Sequence, residues 1–163
     1  MKGYDGEERI VEGVYEVLTT RLNDVIDYAN EYYKDGIMMD HVSDKNIYDD
    51  YVTTAQLVSN PFGYPALAFF VMDNGETIKN NIISMQTLSL RFELFTVGEN
   101  GGTISKRYIA VLRKVLDVYY KEISECVFKV YDPTWRYFVP ERFESSGLRL
   151  SELEVQIDLE VRR

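Results

Sequence analysis

The chain has 163 residues and a formal net charge of −9, with 45% hydrophobic and 28% charged residues. These fractions are typical of a folded protein, and we expect residues 1–163 to form a single domain. Because phosphate contacts supply most of the affinity for nucleic acids, the acidic excess argues against specific DNA or RNA binding, and likewise against docking on an anionic membrane. The sequence shows neither a signal-peptide pattern nor the roughly 18 consecutive apolar residues of a membrane span.

The N-terminal part of the chain has helical periodicity. Apolar residues recur every three or four positions across residues 7–33, from Ile10 to Ala29, which predicts an amphipathic helix. Asp5 is the expected N-cap, and Gly36 fits the left-handed conformation that often follows a last helical turn.

Residues 35–63 show no persistent period. So long a connection is usually functional or becomes ordered against a partner, so we predict a contact segment rather than core. The stretch contains His41, the single histidine of the chain, between Asp40 and Asp44. A divalent-metal site or a His–Asp acid–base pair is one interpretation, but the glycine and closing glutamate of a calcium loop are missing, which favours a solvated loop.

The middle of the chain predicts strands. Residues 64–72 fit a buried strand, and Asn74-Gly75 predicts a tight turn at 73–76. Residues 77–97 fit one bent strand or two. Within 85–97 the side chains alternate, which predicts Leu88, Leu90, Phe92 and Leu94 inward and Thr87, Ser89, Arg91 and Glu93 outward.

A glycine-rich break at 98–102 precedes a second predicted helix, from Ile104 to Lys121 with Thr103 as its cap. The break lacks the lysine of a phosphate-binding loop, and Glu99 would repel a phosphate, so a turn is favoured. The helix presents an apolar face of Ile104, Tyr108, Val111, Leu112, Val115, Leu116 and Tyr119.

The C-terminal part predicts further strands. Residues 126–131 form one, residues 132–147 a loop with a short edge strand limited by Pro133 and Pro140, and 148–163 a closing strand. The element order predicts an α+β fold with a mixed or mostly antiparallel sheet and both amphipathic helices packed on one face.

The closing strand carries an acidic row on one face. Its members are Glu152, Glu154, Asp158 and Glu160. The row either lines a lumen or keeps the sheet soluble and guards an edge. Like charges on one strand face repel each other unless a neighbouring strand supplies a cation. We therefore expect Arg91 to lie opposite or diagonal to one of these acids.

No catalytic pattern emerges from the remaining residues. Cys126 is the single cysteine, and its apolar neighbours indicate a buried thiol rather than a nucleophile. We therefore expect neither enzymatic activity nor a cofactor. Residues 131–143 instead concentrate the residue types of binding hot spots, and a locally packed aromatic corner is the alternative. The candidate interface residues are Tyr131, Trp135, Arg136, Tyr137, Phe138 and Arg142.

The order of elements resembles the tail terminator, or tail completion, proteins of long-tailed bacteriophages. The resemblance covers most of the chain, departs at 35–63, and involves no catalytic motif. It is carried by an N-terminal helix (EERIVEGVYEVLTTRLNDVIDYAN), an extended middle (YPALAFFVMDNGETIKNNI), a regular strand (LSLRFELFTVG), a second helix (SKRYIAVLRKVLDVYY) and a closing strand (LRLSELEVQIDLEVRR).

The resemblance implies a hexameric ring that caps the growing tail tube, stops its polymerisation and presents a surface to the head connector protein. Its partners would be further copies of itself, the tail tube protein and the connector, while DNA would pass without specific binding. Its location would be the host cytoplasm during assembly and then the virion tail or neck. Two alternatives are another neck or tail component, such as a tube or connector protein, and a small acidic protein that binds a host factor.

Overall fold

The computed structural model describes residues 6–50, 52, 63–78, 80–98, 100–123, 127–130, 134–138 and 148–162. It confirms the predicted α+β class. In chain order the elements are helix α1 (Gly6–Tyr33), a short 3-10 helix (Asp44–Asn46), strands β1 (Ile47–Tyr48), β2 (Ala66–Ile78) and β3 (Ile83–Thr96), helix α2 (Gly101–Ile123), and strands β4 (Val127–Val130), β5 (Thr134–Phe138) and β6 (Arg149–Arg162).

The strands form one sheet in the order β1–β2–β3–β6–β4, with β5 also paired to β6. β1 runs parallel to β2, and the other described pairings are antiparallel. The β3–β6 pairing runs without interruption from Ile83 opposite Arg162 to Thr96 opposite Arg149. Because β6 has β3 on one side and β4 and β5 on the other, its acids do not guard a sheet edge, and that interpretation is wrong.

Both helices pack on one face of the sheet, as predicted. The strand side chains that face them are buried and apolar because alternate residues of a strand point to the same side. They are Leu67, Phe69, Leu88, Leu90, Phe92, Leu94, Leu153, Val155, Ile157 and Leu159. The helices run close together at Gly13 of α1, where a Cβ atom would lie 1.9 Å from the carbonyl oxygen of Ile123.

The segment that follows α1 lies back along this helix. The Asn30 side chain donates to the Met39 carbonyl oxygen and accepts from the Met39 amide, and Asn23 makes the same pair of bonds with Val42. Met39, Val42 and Ile47 are buried in the main core. The expectation that 35–63 lies outside the core is therefore wrong for these residues. Hydrogen bonds from two asparagine side chains hold the segment against α1, and such bonds leave no periodic pattern in the sequence. The contact role of the rest of the stretch stays a prediction.

The hairpin turn lies later than predicted. β2 continues through 73–76 after a bulge at Met72, and its ladder with β3 extends to Ile78 opposite Ser84. The turn instead centres on Asn80, whose side-chain oxygen accepts from the amides of Ile82 and Ile83. Because the Asn80 side chain satisfies two backbone donors, it stabilises a turn here rather than at Asn74-Gly75.

The helix ends also differ from the sequence expectation. α2 begins at Gly101, and the Asn100 carbonyl accepts from the Ile104 amide, so Thr103 lies inside the first turn rather than at the cap. After α1, Gly36 takes the predicted left-handed conformation with φ +79°, and Lys34 adopts a left-handed conformation two residues earlier, with φ +49°. The proposed N-cap Asp5 lies outside the described residues.

Candidate interaction surfaces

The face of the sheet that points away from the helices, here called the outer face, carries the predicted acidic row. Arg91 of β3 is the register partner of Glu154 of β6. Its Nη2 atom donates to Glu154 Oε1 at 2.6 Å, and its Nη1 atom lies 3.8 Å from Glu152 Oε1. The expectation that Arg91 offsets the acidic row is confirmed.

Glu93 and Glu152 form a like-charged pair on this face. They are register partners in adjacent strands, and each is only 7% exposed. Burial is the main cause that raises the pKa of Glu93, and the charge of Glu152 adds to it, while Arg91 opposes it. On the other side of Glu152, the register partner in β5 is Arg136. The Glu93–Glu152 pair therefore favours a proton on Glu93.

The rest of the acidic row is only partly open to solvent. Asp158 is half-buried and accepts from the Thr87 hydroxyl at 2.7 Å, and its register partner in β4 is Lys129. Glu160 is exposed. The outer face thus combines the acids with the cation Arg91 and, at one end of the sheet, with a second apolar cluster that includes Ala66, Ala68, Phe95 and Leu150. It is not uniformly acidic, and its role as a lumen lining stays a prediction.

The predicted aromatic interface falls partly on β5. Trp135, Arg136, Tyr137 and Phe138 occupy this strand, which pairs with β6 as the predicted edge strand would. Their backbone partners run from Leu153 for Trp135 to Leu150 for Phe138. Tyr131 and Arg142 lie outside the described residues. Whether this stretch binds a partner stays a prediction.

A different aromatic surface lies at the C-terminal end of α1. Tyr28 and Tyr32 are 71% and 74% exposed, and Met38 is also exposed. Met38 precedes Met39, which Asn30 holds against the helix. We call Tyr28, Tyr32 and Tyr33 the aromatic end.

The aromatic end is braced by ionic and aromatic contacts. The Tyr32 ring meets the Tyr33 ring edge to face at 5.4 Å, and the Arg107 guanidinium lies 3.9 Å from the centre of the Tyr33 ring. Arg107 also forms a salt bridge with Asp35 and donates to the Ile37 carbonyl at 2.7 Å. The Arg107 hydrogen bond lowers the pKa of Asp35 to about 2. These contacts order the Tyr32 and Tyr33 rings, and rigid aromatic side chains are typical of binding hot spots.

Sequence reasoning missed the aromatic end. Tyr28 and Tyr32 are four residues apart, so they share one face of α1. They also lie outside the apolar set that faces the core, next to the acids Asp27 and Glu31. Two large aromatic residues at this spacing on a polar helix face were the signal that could have revealed it.

A second exposed apolar group lies at the hairpin turn. Ile82 is 65% exposed although Asn80 fixes the turn that carries it. The Asn74 amide lies 3.4 Å from Glu7 at the start of α1, so the hairpin projects from that end of the helix. α1 has 28 residues, so about 40 Å separates its two ends at 1.5 Å per residue. The aromatic end and the hairpin turn therefore lie towards opposite ends of α1.

The candidate chemical site in 35–63 is a surface pair. His41 Nε2 lies 2.6 Å from Asp27 Oδ1, and both side chains are exposed. Within the described ranges, no group of three or more His, Cys, Asp or Glu residues is arranged to hold a metal ion. Cys126 lies outside these ranges, so the expected buried thiol stays a prediction.

The chain matches no protein-family model, and the search of curated proteins gave no match. Among the helices that the structure describes, none combines the length and the apolar character needed to cross a membrane.

Proposed function

We propose that this protein is a structural component of a bacteriophage tail, of the terminator type, that closes into a ring on the tail tube, stops tube polymerisation and joins the tube to the head connector. One observation carries the proposal. Among the described residues, large apolar or aromatic side chains are exposed at two unlike sites towards opposite ends of α1, namely the aromatic end and Ile82 at the hairpin turn.

Two different surfaces at opposite ends favour head-to-tail assembly. A symmetric dimer needs one self-complementary patch, whereas a heterologous contact joins two unlike patches and yields a ring when the rotation closes. Tyrosines exposed by more than 70% on a braced helix end have the chemistry of interface hot spots. The element order that resembles tail terminators supplies the expected closure at six subunits.

The charge of the chain supports passage of DNA through such a ring. A net charge of −9 leaves an overall repulsion for phosphate. Arg91, a cation of the outer face, is engaged by Glu152 and Glu154. The acidic excess would disfavour tight retention of DNA, which suits a conduit rather than a binding site.

Electron microscopy of the purified protein mixed with assembling tail tube protein tests this proposal. We expect rings at tube ends and tubes that become shorter as the protein concentration rises. Incorporation along the whole tube would instead identify a tube protein. A monomer that leaves tube length unchanged would overturn the proposal and favour the host-factor alternative.

A further inference from the structure

We infer that residues 35–42, here called the strap, open and close on the helix layer as one unit while the sheet stays folded, and that Arg107 is the latch that holds the strap closed. Met39 and Val42 of the strap are buried in the main core, so the structure represents the closed state. The inference concerns a motion within one subunit and does not depend on the proposed function.

The strap is fastened by side chains rather than by backbone pairing. Among the described residues, no backbone group of 35–42 bonds to another backbone group. Two asparagine side chains of α1 instead bond the amides and the carbonyl oxygens of Met39 and Val42, and the Tyr108 hydroxyl donates to the Asp40 carbonyl oxygen at 2.6 Å. Because none of these bonds belongs to the sheet, the strap can be released while the strands stay paired.

The strap lies between two local backbone features. Lys34 and Gly36 take left-handed conformations at its start, and a Cβ atom at Gly36 would meet no atom within 4 Å. Beyond its far end Ser43 caps the 3-10 helix, and the Ser43 side-chain oxygen accepts from the Lys45 amide at 3.3 Å. Since hinges are a few loop or element-terminal residues, a hinge at the glycine and a capped turn can confine the motion to the strap.

Arg107 of α2 closes the first half of the strap. Its Nη1 atom donates to Asp35 Oδ1 at 3.0 Å and to the Ile37 carbonyl oxygen at 2.7 Å. Arg107 is only 7% exposed, and its guanidinium lies 3.9 Å from the centre of the Tyr33 ring. Opening of the strap would take the carboxylate and the carbonyl away from this nearly buried cation. A buried charge that loses its partners is costly, so Arg107 favours the closed strap.

The latch also joins the strap to the aromatic end. One guanidinium contacts both Asp35 of the strap and the Tyr33 ring, and this ring meets Tyr32 edge to face. When the strap opens, Arg107 loses its anchors, and the Tyr33 ring loses a fixed neighbour. The closed strap therefore orders the aromatic end, and any ligand that prefers the ordered rings would shift the strap towards its closed state.

Hydrogen exchange of single amides, followed by NMR at rising urea concentrations below the unfolding transition, tests the unit motion. The Met39 and Val42 amides donate to asparagine side chains and should exchange through an opening that depends little on urea. The amides of the β3–β6 ladder should instead show the strong urea dependence of global unfolding. The same urea dependence in both groups would overturn the inference.

Arg107→Met tests the latch, because Arg107 contacts the strap only in its first half. We expect exchange at Met39 and Val42, in the second half, to become faster by about tenfold or more, since a charged hydrogen bond is lost. The ladder amides should be unchanged. Acceleration confined to 35–37 would show separate local contacts, and equal acceleration of the ladder would show an effect on the whole fold. Either result overturns the inference.

Arg21→Met is the matched control for the latch. Arg21 likewise joins the two helices, through an ion pair with Glu122 and a contact with the Tyr119 ring. It bonds no residue of the strap in the structure, so its loss should leave exchange at Met39 and Val42 unchanged. Equal acceleration in this variant would show that any loosening of the helix layer frees the strap, which overturns the role of Arg107 as the latch.

Asn23→Ala, at the far end of the strap, provides the reciprocal test. It removes both bonds to the Val42 backbone and should speed exchange of the Ile37 amide, which donates to the Asp35 side chain at the latch. The Tyr33 ring signals should broaden in the same variant. An unchanged Ile37 amide would overturn the unit motion. Sharp Tyr33 signals beside a faster Ile37 amide would overturn the link to the aromatic end alone.

Discussion

The two faces of strands β3 and β6 differ sharply although the same two strands build both. On the helix-covered face, Leu90 and Phe92 are fully buried among apolar side chains. One residue away on the outer face, Arg91 and Glu93 belong to a charged band that β6 completes. The outer face also buries apolar residues, but at one end of the sheet, where Ala66, Ala68, Phe95 and Leu150 belong to a second cluster. The comparison indicates that apolar burial supplies most of the stability of the fold, whereas the charged band balances opposing charges with a smaller net effect.

The largest expected loss of stability comes from a substitution on the helix-covered face. Phe92→Ala should lower the free energy of unfolding by about 3–5 kcal/mol, because it removes a fully buried ring that stacks on Phe69 at 5.8 Å. Ser89→Ala, on the outer face of the same strand, is the matched control and should stay within about 0.5 kcal/mol. Urea unfolding measures both, and similar losses would remove the contrast between the faces.

A smaller loss is expected at the centre of the charged band. Arg91→Met should lower the free energy of unfolding by about 1.5–3 kcal/mol, since it removes a charged hydrogen bond and leaves Glu152 and Glu154 without this cation. A double-mutant cycle with Glu154→Gln should give a coupling energy of about 0.5–1 kcal/mol. Strictly additive losses would show that the ion pair contributes nothing measurable.

The smallest expected effect is a gain in stability rather than a loss. Glu93 has a raised pKa in the folded protein, so its contribution to stability is full below the ordinary glutamate pKa and is lost as pH rises through the folded value. Glu93→Gln should therefore stabilise the protein at pH 7 by roughly 0.2–1 kcal/mol. The difference from the wild type should vanish below about pH 4.

Thermal unfolding at several pH values measures the effect of Glu93→Gln. The exposed Glu160 provides the control substitution Glu160→Gln, which should leave the pH dependence unchanged. A Glu93→Gln variant that is less stable than the wild type at pH 7 would contradict the like-charge account.

Regular alternation made much of the fold predictable. The inward set of β3, the apolar face of α2 and the closing strand β6 follow from periods of 2 and 3.6. The repulsion within the acidic row likewise predicts that Arg91 lies beside it. Periodicity failed where side chains bind the backbone. Asn23 and Asn30 hold an aperiodic segment in the core, and Asn80 moves the hairpin turn.

The aromatic end shows a different limit of sequence reasoning. The spacing of Tyr28 and Tyr32 is visible in the sequence, but their importance depends on exposure and on the bracing by Arg107, which lies 72 residues from Asp35 in the chain. Such long-range contacts leave no local pattern. The aromatic stretch at 131–143 was conspicuous because its residues are adjacent, and its role still awaits a test.

Native mass spectrometry of the wild type and of Tyr32→Ala tests the central claim most directly, because it counts subunits in each assembly. The account predicts one closed ring, of six subunits by the resemblance to tail terminators, that dissociates towards monomers when Tyr32 is removed. A wild type that remains monomeric at every concentration, or a symmetric dimer unaffected by Tyr32→Ala, would contradict it.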